Sequence, residues 1–385
     1  MFLIRLALKN AFRHKLRSAL TILGVMVAIL AFGLLRTVID AWHAGVEASS
    51  SYRLVSRNAI SLTFFLPLAY REKIKAVPGV TEVAAGMWFG GIYVDEKNFF
   101  PNFAYDPGPF LALYPEYLLE PDQKAAFLRD RKGAMVGVKT AKRFGWKIGD
   151  NITLRGTIFP GDYELTIRAI YHGAHANTDE TSLIFHWTYL DETMRRDFPE
   201  RSGQVGWYVV GIADPDRSAE ISRAIDDQFQ NSLAQTLTET EKAFAQGFVS
   251  MSEAIILAIR LVSLMVVLII LAVAANTMAM SVRERMSEYA VLKTLGFGWV
   301  FVAGLIMGES LTLSLTGAGL GLALITPAAK VFAAFMSDFF PIFAVSAKTV
   351  LQGGLAGLAV GLVAGVVPAR QAAKISIAQA LRKVG

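Results

Sequence analysis

Four membrane-crossing helices carrying one large α+β insertion are predicted by three features of this sequence. Long apolar runs sit at both ends of the 385-residue chain, and a mixed, charged block fills its middle. Each run has the roughly 20 residues that a bilayer crossing needs. Lysine and arginine gather at alternate ends of the runs, which fixes how the chain threads. The composition is 54% hydrophobic and the mean hydropathy is +0.42, so the membrane character lies in clustering rather than in the average.

Residues 1–17 read as an interfacial cytoplasmic helix, with Phe2, Leu6 and Phe12 toward lipid and Arg5, Lys9 and Arg13 toward headgroups. Residues 18–39 form the first span. A signal peptide is the competing reading, but the run exceeds the about 7–15 residues of a signal core. Residues 254–281 form the second span, interrupted by Arg260. Residues 300–326 and 350–367 form the third and fourth, closed by Pro327 and Pro368. Arg13, Lys15 and Arg17 precede span 1, Arg283, Arg285 and Lys293 follow span 2, and Arg370, Lys374, Arg382 and Lys383 follow span 4. Both termini, including the tail 368–385, and the connection 282–299 are therefore expected on the cytoplasmic side of the membrane. Residues 40–253 and the loop 327–349 are expected outside. The net charge of +6 belongs to this threading and gives no reason to invoke nucleic acid. Without cysteine, the chain has no disulfide, thiolate metal site or thiol nucleophile.

The insertion alternates strand-like and helix-like stretches. Strands are expected at 59–65, 80–89, 92–94, 151–155, 165–171, 182–186 and 205–212. Short helices are expected at 69–77 and after Asp214-Pro215, the latter with Ile221, Ile225 and Phe229 on one face. The helix-favouring segments 40–56 and 234–253 would extend spans 1 and 2 outward as a stalk.

Between spans 2 and 3 the chain reads Val282-Arg-Glu-Arg-Met-Ser-Glu-Tyr-Ala-Val-Leu-Lys-Thr-Leu-Gly296. At helical spacing Ala290, Val291 and Leu295 form an apolar stripe beside Arg285 and Glu288, and Gly296 would end the helix. Periodicity alone fits a solvated loop helix equally well. Gly353, Gly357, Gly361 and Gly365 recur every fourth residue of span 4, and Gly304/Gly308 and Gly317/Gly321 repeat the spacing in span 3. A bare face of this kind lets another helix approach closely. Glu309 and Arg260 are intramembrane charges, and such charges are functional candidates by default. Glu309 is expected to bond neighbouring helices rather than carry protons, and Arg260 to snorkel toward headgroups or Glu253. His172 and His175, near Asp179, Glu180 and His186, lack a clear third ligand, and no metal site is expected. No catalytic constellation can be singled out, and without a Gly-Lys dipeptide there is no phosphate-cradling loop.

Glu284-Arg285, Glu288 and Leu292-Lys293-Thr294-Leu295-Gly296 resemble the cytoplasmic signature of the FtsX-like (MacB/LolC-type) ABC transporter permeases. Gly308-Glu309-Ser310, the opening Asn10–Ser18 and the ending Pro368–Lys374 with Ala380-Leu381-Arg382 are similar to that family's other motifs. Ile377 stands where the family usually has proline, and Tyr289 where it has Ile or Phe. The insertion, through Val77-Pro78-Gly79-Val80 and Gly149–Leu154, resembles the family's MacB-like periplasmic core. The resemblance implies a non-enzymatic permease of a bacterial inner membrane without a fused ATPase, acting by mechanotransmission to export or extract a peptide, drug, lipid or lipoprotein. It implies two copies of a separate ATPase that use ATP and Mg, while this chain holds no cofactor. It also implies pairing with itself or a paralogue, with room for a periplasmic adaptor and an outer-membrane channel. Arg283, Glu284, Arg285, Glu288, Lys293 and Gly296 would then belong to the ATPase-coupling helix. Activation of an external cell-wall hydrolase is the alternative within the family. A proton-coupled carrier would need more intramembrane acids than Glu309, and a membrane-tethered receptor or enzyme would leave the cytoplasmic signature unexplained.

Overall fold

The computed structural model describes residues 2–175, 177–336 and 343–373. The expected tail residues Lys374, Ile377, Arg382 and Lys383 and residues 337–342 of the expected loop 327–349 lie outside these. In chain order the first elements are α1 (Phe2–Ala11), α2 (Lys15–Ala48), β1 (Arg53–Asn58), β2 (Leu66–Pro67), α3 (Tyr70–Lys75) and β3 (Val80–Trp88). Next come β4 (Asn102–Tyr105), α4 (Pro107–Leu113), β5 (Tyr117–Leu118), α5 (Pro121–Arg129), β6 (Gly133–Gly137) and α6 (Val138–Phe144). Then follow β7 (Asn151–Gly156), β8 (Gly161–Gly173), β9 (Leu183–His186), α7 (Trp187–Asp197), β10 (Gln204–Val205) and β11 (Trp207–Ile212). The chain continues through α8 (Ser218–Gln228), β12 (Thr236–Thr240), α9 (Glu241–Met251), α10 (Glu253–Glu284), α11 (Met286–Thr294), α12 (Trp299–Met336) and α13 (Ala347–Ala373).

Contacts among the described residues divide the chain into a helical unit (residues 2–42, 252–336 and 343–373) and an inserted unit (43–251). Among the described residues, α2, α10, α12 and α13 are long and apolar enough to cross a membrane. Each outruns its expected span. Pro327 and Pro368, expected to close spans 3 and 4, lie inside α12 and α13. A proline removes one backbone donor, and packing within a bundle keeps the rest of the helix intact. The helix α1 buries Ala7 and Ala11 in a cluster with Val302, Leu305 and Ile306 of α12, while Phe12 stays exposed.

The inserted unit is built on a ten-stranded mixed sheet in the order β12-β1-β11-β3-β4-β9-β6-β8-β5, with β7 on β8. Alternate side chains leave opposite faces of a strand, and here both faces are covered. Val83, Ala85, Val136, Phe185 and Val210 enter one apolar cluster. Their neighbours Ala84, Met135, Ile184 and Val209 enter a second. Asp214 accepts from the Asp216 amide at 3.0 Å, and Ile221, Ile225 and Phe229 of the following helical segment are buried in the first cluster.

Three local expectations fail. Residues 59–65 form no strand; β1 ends at Asn58, and Leu62 and Phe65 pack on a cavity instead of pairing. Residues 92–94 contribute only an isolated bridge, Ile92 to Arg155. The expected stalk segments are interrupted: β1 starts at Arg53 and β12 pairs with it, Leu54 opposite Thr240.

Candidate functional site

The functional candidate is a charged joint at the ends of α10 and α12. Arg285 (φ −105°, ψ 18°) leaves helical geometry and turns the chain from α10 into α11. At the far end Gly296 takes φ +91°. Its amide donates to the Lys293 carbonyl at 3.1 Å, and the Phe297 amide donates to the Leu292 carbonyl at 3.1 Å. This is a Schellman ending, and only glycine adopts that φ cheaply.

Arg285 is 5% exposed. Its Nη1 donates to Glu309 Oε2 of α12 at 2.9 Å, and its Nε donates to Glu288 Oε2 of α11 at 3.0 Å. Glu309 also accepts from Ser281 Oγ of α10 at 3.1 Å. The guanidinium lies 5.3 Å from the centre of the Tyr289 ring, within cation–π range. Burial pushes the Tyr289 phenol up to about 12. Two arginines near the start of α2 complete the joint. Arg13 donates to Glu288, and Arg17 donates to Glu284 at 2.6 Å. Burial alone would raise the Glu288 carboxyl, but hydrogen bonds from Arg285 and Arg13 outweigh it and hold it below the usual carboxylate range.

Arg285, one of the residues expected in the coupling helix, turns its side chain inward toward α12. Its more buried partner, Glu309, lies 24 positions along the chain, where a helical wheel of the connection cannot register it. Lys293 donates to the Ala372 carbonyl of α13 at 3.3 Å. Arg283 and Gly296 are exposed. The predicted apolar stripe splits: Ala290 is fully buried, whereas Val291 is 48% and Leu295 69% exposed. Trp299 is exposed beside them in sequence.

The span-4 glycines meet α12. A Cβ at Gly353 would lie 2.8 Å from Leu322, one at Gly361 3.0 Å from Ser314, and one at Gly365 2.7 Å from Met307. One at Gly357 would overlap Ala318. Ser310 Oγ donates to the Gly361 carbonyl at 2.7 Å, and Ser314 Oγ donates to the Gly357 carbonyl. Gly317 and Gly321 of α12 face the backbone of α2, and Gly308 faces Ala7 of α1. Gly304 faces open space, so its expected packing role is not seen.

Among the described residues Arg260 forms no ion pair with Glu253; it is exposed on α10. Arg36, within 18–39, is a third intramembrane charge that the sequence reading passes over.

The inserted unit contains a cavity of about 730 Å³. Its floor is one sheet face, with Trp88, Phe103, Tyr105 and Trp207, and Phe244 and Phe248 of α9 line it as well. At one end Glu241 accepts from Arg53 Nε at 2.8 Å and from Tyr114 Oη at 3.0 Å. Arg53 also holds Glu116 at 2.8 Å. His186 is buried with Nε2 2.7 Å from the Phe127 carbonyl. Among the described residues no three His, Asp or Glu are grouped to hold a metal.

A sequence model of the FtsX-like permease C-terminal family matches residues 260–377, which include the Arg285–Glu309 joint. A MacB-like periplasmic core domain model matches residues 18–228, more than half of the chain. The chain belongs to the FtsX-like ABC transporter permeases. An uncharacterized ABC transporter permease of Methanocaldococcus jannaschii is 23% identical to it, covering 99% of this permease and 97% of the relative. An uncharacterized ABC transporter permease of Mycobacterium tuberculosis is 23% identical across 67% of this permease and 30% of its own length. The periplasmic region of MacB from Actinobacillus actinomycetemcomitans aligns over 53% of this permease and 95% of its own chain, with 8% identity and a TM-score of 0.39. The extracellular domain of the YknZ transporter from Gram-positive bacteria covers 49% and 98%, with 11% identity and a TM-score of 0.35. Family membership and the four apolar helices make this permease a membrane protein. Membership also implies an ATPase partner and dimerisation.

Proposed function

We propose that the permease converts ATP hydrolysis on a separate ATPase into movement of its extracytoplasmic domain, and that an apolar molecule is the load. The buried Arg285–Glu309 pair carries this reading. A displacement of α11 is resisted by an ion pair to α12 and, through Ser281, by α10, so it is passed to the spans rather than absorbed in a loop. Two ATPase copies would handle ATP and Mg, and the permease would pair with itself or a paralogue. Glu309 serves here as a fastening, since Arg285 and Ser281 occupy its carboxylate; this weighs against a proton-coupled carrier. The aromatic cavity favours export or extraction of a drug or lipid over a peptide, and over activation of a cell-wall hydrolase, which would need a protein-binding surface. A periplasmic adaptor and an outer-membrane channel are compatible additions.

Leu295→Asp tests the docking step. Leu295 is 69% exposed, so the change leaves the fold intact, while a charge in a desolvated interface is costly. ATPase capture by tagged permease is expected to fall tenfold or more, with loss of permease-coupled hydrolysis. Normal capture and coupling by Leu295→Asp would remove α11 as the docking element.

A further inference from the structure

The outer ends of three spans line a second, open cavity of about 360 Å³, entirely within the helical unit. Arg36 of α2, Arg260 and Ser263 of α10, and Gln352 of α13 line it. Three polar atoms there are buried without a hydrogen-bond partner: Arg36 Nε, Ser263 Oγ and Gln352 Oε1. Ser263 is only 1% exposed. The nearest acid along α2, Asp40, accepts from Ser346 and Thr349 at 2.7 and 2.8 Å. Two guanidinium groups thus share a cavity in a membrane segment with no carboxylate lining it. Such charges persist in a bilayer only where an anion or water reaches them.

The lining is graded. Because α2 leads outward into the inserted domain and α10 returns from it, Arg36 and Arg260 lie nearer the outer surface. Phe32, Val267 and Leu355, which also line the cavity, lie one to two helical turns deeper. Arg36 and Arg260 are within about 5–10 Å of the ends of the apolar runs, at 1.5 Å per residue. Guanidinium stems of that length reach the phosphate level of a leaflet. A basic, hydrogen-bonding end above an apolar end matches an amphiphile standing upright in the outer leaflet.

We propose that this cavity is a binding site for the phosphate of an outer-leaflet phospholipid. Arg36 and Arg260 hold the phosphate oxygens, Ser263 Oγ donates to it, and Gln352 orients the arginines or the glycerol oxygens. The acyl chains descend along Phe32, Val267 and Leu355. The site is independent of the ATPase joint and of the aromatic cavity.

Delipidated permease is titrated with dioctanoyl phosphatidylglycerol, dioctanoylglycerol and inorganic phosphate, with thermal midpoint and native mass spectrometry as readouts. Phosphatidylglycerol is expected to raise the midpoint and to appear as a bound adduct, whereas dioctanoylglycerol and inorganic phosphate do neither. Arg36→Gln with Arg260→Gln is expected to weaken this binding at least tenfold, and Arg260→Lys to retain part of it. Arg283→Gln, an exposed cation outside the cavity, leaves it unchanged. Undiminished lipid binding by the double variant overturns the proposal. Equal effects of dioctanoylglycerol or of inorganic phosphate overturn it too, as apolar filling or a free-anion site. Loss of the permease dimer in the double variant, with lipid binding intact, assigns the arginines to a second copy instead.

Discussion

At the scale of single residues, Arg285 and Glu309 are worth more as a pair than their separate burial would allow. Each is 5% exposed, and breaking a buried pair by removing one partner costs about 3–5 kcal/mol; without Glu309, the buried Arg285 keeps only the more exposed Glu288. Glu309→Ala should therefore lower the unfolding midpoint in detergent sharply, and Glu309→Ala with Arg285→Met should restore most of it. A double variant no better than the single would show that the two charges are uncoupled. Glu288 is bound from two sides, by Arg13 and Arg285, so Glu288→Lys is not structurally silent. His186 gives a pH signature. Burial lowers its pKa below the usual value of about 6.5, more than the Phe127 carbonyl and the Asp130 and Asp106 charges raise it, and Arg131 adds to the lowering. Below pH ~6.5 the unfolded chain takes up a proton that the folded chain refuses until its lower pKa is reached. Stability is thus expected to be full above that window and to fall as pH drops through it. His186→Gln, which keeps a donor for Phe127, should flatten midpoint against pH between about 7 and 5; an unchanged slope would move the effect to other groups.

At the scale of elements, the α12–α13 contact is the sharpest prediction. Leucine at Gly357 or Gly361 must displace Ala318 or Ser314, and overpacking of this kind costs about 1–3 kcal/mol. Gly354→Leu points to Leu322 at 3.9 Å and should be tolerated. Equal melting of all three purified variants would show the spacing to be incidental. This seam was legible because four glycines in register leave a periodic trace. The strands β3, β7, β8, β9 and β11 were legible for a like reason, since their apolar positions are dense or alternate. The strand β6 shows no apolar/polar alternation because the sheet buries both its faces. The strand β12, Thr236–Thr240, carries polar residues that bond to Asp226 rather than an apolar stripe. Residues 59–65 misled because a cavity wall selects the same apolar residues as a paired strand.

At the scale of the whole molecule, threading is testable because the chain contains no native cysteine. Single cysteines at Lys97 and Thr294, both exposed, should divide cleanly. Lys97→Cys should react with an impermeant thiol reagent in intact spheroplasts, and Thr294→Cys only after lysis. The opposite pattern would invert the topology. The four spans, the insertion and the family were readable because lipid imposes long uninterrupted runs and the cytoplasmic motifs are local. Bonding of Glu309 to a neighbouring helix was expected, but its partner Arg285 was not, since the two meet only through the packing of α10, α11 and α12.

The pairing of β1 with β12 has a mechanical meaning. The insertion begins and ends on adjacent strands, with Leu54 opposite Thr240, so both chain connections attach at one end of the same ladder. Tugging them in the same direction carries the domain as a rigid body. Spreading them instead loads that ladder like a zipper, one rung at a time from Leu54 and Thr240. The clasp on this zipper is Arg53, which grips Glu241 just past the last rung and Glu116 behind it.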